Sequence, residues 1–257
     1  MPVWLRNVLA LFLILAFSAS FYYFFIRPYA YRWKPCGGQK EYGVCMPCCY
    51  DVHGIDVSHY QGRIDWEELF AQNQETDFPI EFIFMKATEG ATLGDDTFQK
   101  NFALAHKYGF IRGAYHFFSP KTDALKQADF FIKTVTLRKG DLPPVLDVEL
   151  TGRKSKSELQ KSLKIWLDRV EAHYKVKPIL YTSYKFKTKY LNDPSFDVYP
   201  YWIAHYYVDS VKYAGKWYFW QHTDVGSVKG IKEEVDLNVF NGTLEDFEGS
   251  DDYFVIY

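Results

Sequence analysis

Two hydrophobic patterns divide the chain. From Val8 to Ile26 the sequence VLALFLILAFSASFYYFFI carries no charge and is bracketed by Arg6 and Arg27. About 19 residues of helix are what ~30 Å of hydrocarbon requires, and the aromatic second half fits a membrane–water interface. The run predicts a transmembrane anchor or uncleaved signal over residues 1–27, with Ser18-Ala19-Ser20 as a small-residue cleavage site if it is processed. From His53 onward the pattern changes: short apolar runs of strand length alternate with stretches of helical period.

His53–Ser58, Ile80–Lys86, Ile111–Phe118, Pro144–Leu150 and Pro178–Thr182 read as strands. Helices are expected over Asp65–Ala71 (with Asp65 as cap), Asp96–Tyr108, Asp123–Leu137 and Lys156–Tyr174. In the last, Leu159, Leu163, Trp166, Leu167 and Val170 share one face. Tyr201–Ala204, Trp217–His222 and Val235–Val239 follow as strands with little helix between them. The order is five βα units and then three strands. Such alternation implies an α/β fold with a parallel sheet covered on both faces, closed as a modified (β/α)-barrel whose last third lacks a helical jacket. The expected divisions are the anchor over 1–27, a Cys-containing linker over 28–52, the barrel over 53–245 and an acidic tail over 246–257.

Composition narrows the function. Lys+Arg is 30 and Asp+Glu is 32, a formal charge of -2, so the basic footprint of a nucleic-acid binder is missing. Aromatic residues stand out at 19% of the chain. All four cysteines, Cys36, Cys45, Cys48 and Cys49, lie in the linker. Adjacent cysteines rarely bridge each other, which leaves two pairings: Cys36–Cys48 with Cys45–Cys49, or Cys36–Cys49 with Cys45–Cys48. A zinc site on the four thiolates, though the spacing is unusual for one, and free or lipidated thiols are the alternatives to a disulfide knot. His59, His116, His205 and His222 form no metal-ligand spacing, and no phosphate loop, dinucleotide fingerprint or nucleophile elbow is present.

In barrels of this kind chemistry gathers where strands end. Reading each strand to its carboxyl end gives Asp56, Glu89, Asp147 with Glu149, and Asp236. Side chains alternate along a strand, so Asp147 and Glu149 point to one side. Two carboxylates aimed into one mouth repel, and one of them is expected to keep a proton near neutral pH, as a general acid must. Tyr60, Tyr115, Tyr181, Trp202 and Trp220 accompany the acids; their flat faces and polar edges suit sugar rings.

Several ordered blocks go further. GIDVSHYQGRIDW (Gly54 to Trp66), FIFMKATEG (Phe82 to Gly90), GAYHFFSP (Gly113 to Pro120), PVLDVEL (Pro144 to Leu150) and WQHTDVGSVKGIKEEVDLNVFNG (Trp220 to Gly242) resemble glycoside hydrolase family 25, the Chalaropsis-type lysozymes. The resemblance spans about residues 53 to 245 and implies a flattened barrel. It implies an N-acetylmuramidase that hydrolyses the β-1,4 bond between N-acetylmuramic acid and N-acetylglucosamine in peptidoglycan. By motif position Glu149 resembles the general acid/base, Asp147 the carboxylate that assists through the substrate's 2-acetamido group, and Asp56 and Asp236 two further cleft acids. It implies no metal or organic cofactor, and peptidoglycan glycan strands as the partner; the chain is expected to be a monomer.

Orientation sets two rules against each other. Arg27, Arg32, Lys34 and Lys40 follow the apolar run and only Arg6 precedes it, which by the positive-inside rule puts the domain in the cytoplasm. A peptidoglycan substrate puts it on the outer side of the cytoplasmic membrane, and that is the expected location, with the chain single-pass.

Overall fold

The computed structural model describes residues 1–27 and 36–249, in two units, residues 1–39 and 40–257. In the first, helix α1 (Val3–Phe21) continues as a π-helical stretch over Tyr22–Ile26. Within the 24 residues Val3–Ile26 an 18-residue window has a mean hydropathy of 2.2 and none of it is buried, so the helix is long and apolar enough to cross a membrane. It starts before the uncharged run because Arg6 interrupts apolarity without interrupting helix; arginine is a good helix former.

The second unit opens with a small hairpin, β1 (Lys40–Glu41) and β2 (Val44–Cys45). The barrel follows. β3 (His53–Val57) leads to α2 (Trp66–Asn73), β4 (Ile80–Glu89) to α3 (Phe98–Lys107), and β6 (Ile111–Phe117) to α4 (Ala124–Thr134). The two-residue β5 (Leu93–Gly94) folds back on the end of β4. β7 (Val145–Asp147) precedes the long α5 (Lys156–Tyr174), and β8 (Ile179–Ser183) a short helix, α6 (Tyr184–Tyr190), for which the sequence pattern gave no signal. β9 (Tyr201–Ala204), β10 (Trp217–Gly226) and β11 (Val235–Phe240) complete the ring. β3 pairs with both β4 and β11, so eight strands close. The expected cap of α2 is present: Asp65 accepts from the amides of Glu67 and Glu68.

One expectation about direction is corrected. Seven strands run parallel, but β11 is antiparallel to both β10 and β3. No helix separates β10 from β11, and a short connection returns the chain the way it came.

Alternation builds two cores. Phe82, Phe84, Val145, Trp202, Phe219 and Phe240 fill the barrel. A β-carbon on Gly54 would lie 2.3 Å from the Phe82 ring and one on Gly113 2.4 Å from the Phe84 ring, so only glycine leaves room for these rings in so narrow an interior. Ile55, Ile83, Met85, Leu146, Leu180 and Ile203 face the other way and pack under Leu69, Phe131, Leu163 and Trp166 from the helices.

The bare wall and the barrel floor are covered by segments expected to lie outside the domain. Tyr42 and Met46 from the hairpin segment are 4% and 5% exposed and join the outer core. The Tyr42 hydroxyl donates to the Phe78 carbonyl at 2.7 Å, and Tyr50 packs its ring against Trp217 and Trp220. At the other end α7 (Leu244–Gly249) inserts Phe247 among Phe82 and Phe240. The barrel body therefore starts at Lys40 and includes Phe247, and the boundaries drawn at 52/53 and 245/246 cut through packed structure. Asp251 and Asp252 of the acidic end lie outside the described residues.

The cysteine pairings are also corrected. Cys36 and Cys45 are each disulfide-bonded, whereas Cys48 and Cys49 are free, exposed thiols. Both disulfide patterns kept from the sequence bridged all four; here Cys36 and Cys45 are bonded and the adjacent pair is not. Among the described residues no group of three or more His, Cys, Asp or Glu side chains is arranged to hold a metal.

Candidate active site

The barrel floor is closed by aromatic rings and the other end is open. There a cleft of about 360 Å³ is lined by Asp56, Tyr60, Lys86, Glu89, Asp147, Glu149 and Asp236, among others. Asp56 stands next to last in β3, Glu89 ends β4, and Asp147 ends β7. Glu149 lies two residues beyond β7, not inside a longer strand as the pattern suggested, yet it faces the same cleft as Asp147. The Val148 amide still bonds the Tyr181 carbonyl of β8, which keeps the extended geometry and hence the shared side.

Asp236 reaches this mouth for a different reason from the one read in the sequence. It sits at the amino end of β11, opposite Asp56 in the register. Because β11 is antiparallel, its amino end lies with the carboxyl ends of its neighbours.

A polar frame holds Asp56. Its Oδ2 accepts from Gln221 Nε2 at 2.8 Å and from Asn238 Nδ2 at 2.7 Å. Gln221 Oε1 in turn accepts from the Tyr181 and Tyr206 hydroxyls at 2.7 and 2.6 Å. Asn238 Oδ1 accepts from the Trp202 indole at 2.8 Å. Asp147 has no such frame: its Oδ1 is buried without a hydrogen-bond partner from the protein.

The electrostatics follow from burial and crowding. Burial first, and then the charges of Glu149 and Asp56, push the Asp147 carboxyl well above the usual carboxylate range. Solvent reaches Glu149 from the mouth, but burial of its carboxyl raises it too, against the opposing effects of the Tyr181 hydroxyl and the Lys86 charge. Asp56 and Asp236 behave as a pair. Burial raises both; the side-chain amides hold Asp56 down while the Asp56 charge drives Asp236 further up, so the proton of the pair resides on Asp236.

Of the aromatic residues expected at the site, Tyr60, Tyr115, Tyr181 and Trp202 line the cleft. Tyr60 is 74% exposed and its ring lies 4.2 Å from that of His59, which is held by Asp95 at 3.1 Å. Trp202 is a wall: it stacks on Phe84 and meets Tyr181 edge-on. Trp220 is not among the cleft residues. Gln221 and Phe219 take the inward positions of β10, so Trp220 points outward, is 1% exposed, and donates its indole N–H to the His205 carbonyl. The sequence reading passed over Gln221, Asn238, Ser58, Gln61 and Lys86. Asn238 lies two places from Asp236, an acid expected at the mouth, which is the signal that could have found it; Gln221 has no such signal, because Trp220 beside it is the residue expected inward.

The histidines are structural or local. His116 bonds Thr88 and Gln127 and stacks on Trp166, and burial lowers it to about 4, so it is neutral at physiological pH.

Comparison with known proteins agrees with this geometry. The sequence model of glycosyl hydrolases family 25 matches residues 55–231. The chain is 44% identical over 220 residues to the uncharacterized protein YegX of Escherichia coli O6:H1, covering 85% of this chain and 79% of that one. It is 33% identical over 208 residues to lysozyme M1 of Streptomyces globisporus, 75% of this chain and 68% of that one. Among solved structures, a family 25 glycosyl hydrolase from Bacillus anthracis superposes with a TM-score of 0.70 at 38% identity, over 77% of this chain and 93% of that one. An eight-stranded barrel of this topology, its acids at one mouth, and a sequence match across most of the barrel make one assignment: the chain belongs to glycosyl hydrolases family 25 and is a glycoside hydrolase.

Proposed function

We propose that this chain is a membrane-anchored N-acetylmuramidase that hydrolyses the β-1,4 bond between N-acetylmuramic acid and N-acetylglucosamine in peptidoglycan. The observation that carries the reading is the pair Asp147 and Glu149 in one open cleft, one carboxyl solvent-accessible and able to carry a proton, the other buried with an oxygen left unpartnered.

Breaking a glycosidic bond puts negative charge on the leaving oxygen and positive charge on the anomeric carbon. Glu149 gives its proton to the bridging oxygen. As that bond breaks, the carbonyl oxygen of the sugar's own 2-acetamido group bonds to the anomeric carbon from the opposite face. Asp147, as carboxylate, accepts the amide N–H through its free oxygen and stabilises the positive charge that the acetamide acquires. A water then attacks the anomeric carbon, gives its proton to Glu149, and releases the acetamide. Two displacements retain the β configuration. Asp56 and Asp236 hold the floor of the cleft, and Tyr60, Tyr115, Tyr181 and Trp202 offer faces and hydroxyls to the sugars.

The helix Val3–Ile26 supports a single-pass anchor, and a peptidoglycan substrate sets the catalytic domain on the outer side of the cytoplasmic membrane. Mass spectrometry of fragments from defined peptidoglycan tests the reading: N-acetylmuramic acid must be the new reducing end. Glu149→Gln keeps shape and removes the proton, so turnover should fall about 10²–10⁴-fold with folding intact. Wild-type turnover in that variant, or N-acetylglucosamine at the reducing end, would reject the assignment.

A further inference from the structure

The proposed mechanism requires Asp147 to be ionised while Glu149 keeps its proton, yet burial and crowding favour a proton on Asp147. Something in the cleft must oppose that preference. Sharing the cleft with Asp147 are Asp56 from β3, Glu89 from β4, Tyr115 from β6, Glu149 just beyond β7, Tyr181 from β8 and Asp236 from β11. Every one of these is an acid or a neutral hydroxyl. Lys86 is the one cation among the residues lining the cleft.

Its placement is unusual. A lysine is rarely buried unless paired, and Lys86 is 9% exposed. Phe84 points into the barrel, so Lys86, two residues on, also points in. Simple alternation would then send Thr88 inward and Glu89 outward. The register of β4 against β6 shifts between Lys86 and Thr88. That bulge turns Thr88 out to His116 and brings Glu89 to the same side as Lys86. Lys86 Nζ is 2.7 Å from Glu89 Oε2 and 5.0 Å from the centre of the Phe117 ring, so the ammonium is held within the cleft and is not free to swing into solvent.

We propose that Lys86 is a positioning residue for the carboxyl pair, the cation that keeps Asp147 and Glu149 from both holding protons and so leaves the pair one carboxylate and one transferable proton. This rests on the roles proposed above for Asp147 and Glu149. Two protons and two carboxyls form one coupled system. Of its singly protonated forms, only the one with the charge on Asp147 is productive. A fixed positive charge in the same cleft disfavours the doubly protonated form and so populates the singly protonated ones, while Glu89 anchors the ammonium.

Removing the cation makes both carboxyls bind protons more tightly, since Lys86 opposes the rise in each. Lys86→Met, made in the full-length chain in detergent, should therefore move both limbs of the kcat/KM–pH profile to higher pH, by about one unit or more, as for loss of a nearby opposite charge. Lys86→Arg keeps the charge and should return the profile to its wild-type position. A lysine that only braces the fold would lower the height of the profile and leave its limbs in place; that result overturns the proposal. If Lys86→Met is too slow to profile, ¹³C-carboxyl titration of Asp147 and Glu149 in the same protein reads the change directly, and unchanged midpoints overturn it equally. The titration also separates the two readings. It tests Lys86 whether or not wild-type enzyme cuts peptidoglycan, whereas the cleavage assay alone tests the muramidase assignment.

Discussion

Gln221 is the residue whose replacement best tests the account of the cleft floor. It is 1% exposed and makes three side-chain hydrogen bonds, one to Asp56 and two from the Tyr181 and Tyr206 hydroxyls. Gln221→Met keeps the volume and deletes all three. Asp56 keeps the Asn238 amide and the Asp236 carboxyl, and the Tyr181 and Tyr206 hydroxyls lose the Gln221 acceptor. With about 1–3 kcal/mol for each buried group left unsatisfied, the variant should lose about 3–5 kcal/mol, a large part of a typical domain's stability. Urea unfolding followed by tryptophan fluorescence reads this as a lower midpoint at unchanged slope. Gln221→Glu adds a sign test. As a neutral acid it can still accept from the tyrosines and donate to Asp56. Once ionised it faces Asp56 with like charge, so its folded-state protonation constant is raised. Its stability should lie near wild type at low pH and fall away as pH rises from about 4, the unfolded value for a glutamate. A Met variant within 1 kcal/mol of wild type, or a Glu variant whose deficit does not change with pH, would show that the frame does not bear on the fold as described.

Three further outcomes follow from the same structure. Asp236 is held protonated by burial and by Asp56, so the native state loses stability as pH climbs above the unfolded carboxylate value; Asp236→Asn should therefore be about 1–2 kcal/mol more stable than wild type above neutral pH while losing activity, and equal stabilities at pH 8 would count against it. Phe247 is fully buried at the barrel floor, and Phe247→Ala should cost about 3–5 kcal/mol by calorimetry, which also predicts that trimming the chain at residue 245 destabilises it. Tyr42→Ala should cost a similar amount and Tyr42→Phe about 1 kcal/mol in urea; a silent Tyr42→Ala would mean that the hairpin is not part of the fold.

Much of the barrel is legible in sequence because strand and helix periods differ and each βα unit shows both. Leu159 to Val170 is a clear case: the predicted face is the one that packs on the barrel. Direction is not legible in the same way. The run Val235–Val239 looks alike whether it is parallel or antiparallel, and only the missing helix before it hints that the chain turns straight back. Asp236 lies at the mouth by an amino end, where reading its strand as parallel puts it there by a carboxyl end. Trp220 failed for a subtler reason. In an alternating strand one of each neighbouring pair points in, and an indole and an amide are both plausible at a sugar site; the choice fell to Gln221 because Asp56, Tyr181 and Tyr206 need its two ends. Hydrogen-bond frames of that kind join residues as far apart as Asp56 and Asn238, and no local pattern carries them. Residues 40–52 and Phe247 lie beyond the periodic blocks, so no pattern assigns them to the domain, although the wall without helices needs a cover and the barrel needs a floor.

The crowding of acids at the mouth is a consequence of the topology as well as a requirement of the chemistry. Parallel strands deliver their carboxyl ends to one rim, and Asp56, Glu89 and Asp147 arrive that way; reversing β11 alone adds an amino end to the same rim, and with it Asp236. Five carboxyl groups in one cleft cannot all ionise, because each charge raises its neighbours. The structure resolves this by unequal treatment. Asp56 receives two amides and stays the anion of its pair, Asp236 keeps the proton, and Glu89 is neutralised by Lys86. That leaves Asp147 and Glu149 as the two groups whose protonation is still open to influence, one buried and unpartnered, the other reached by solvent. A glycosidase of the proposed kind needs its adjustable proton at that place and nowhere else in the cleft, so the amide frame and the ion pair serve the reaction by removing the other carboxyls from the competition for it.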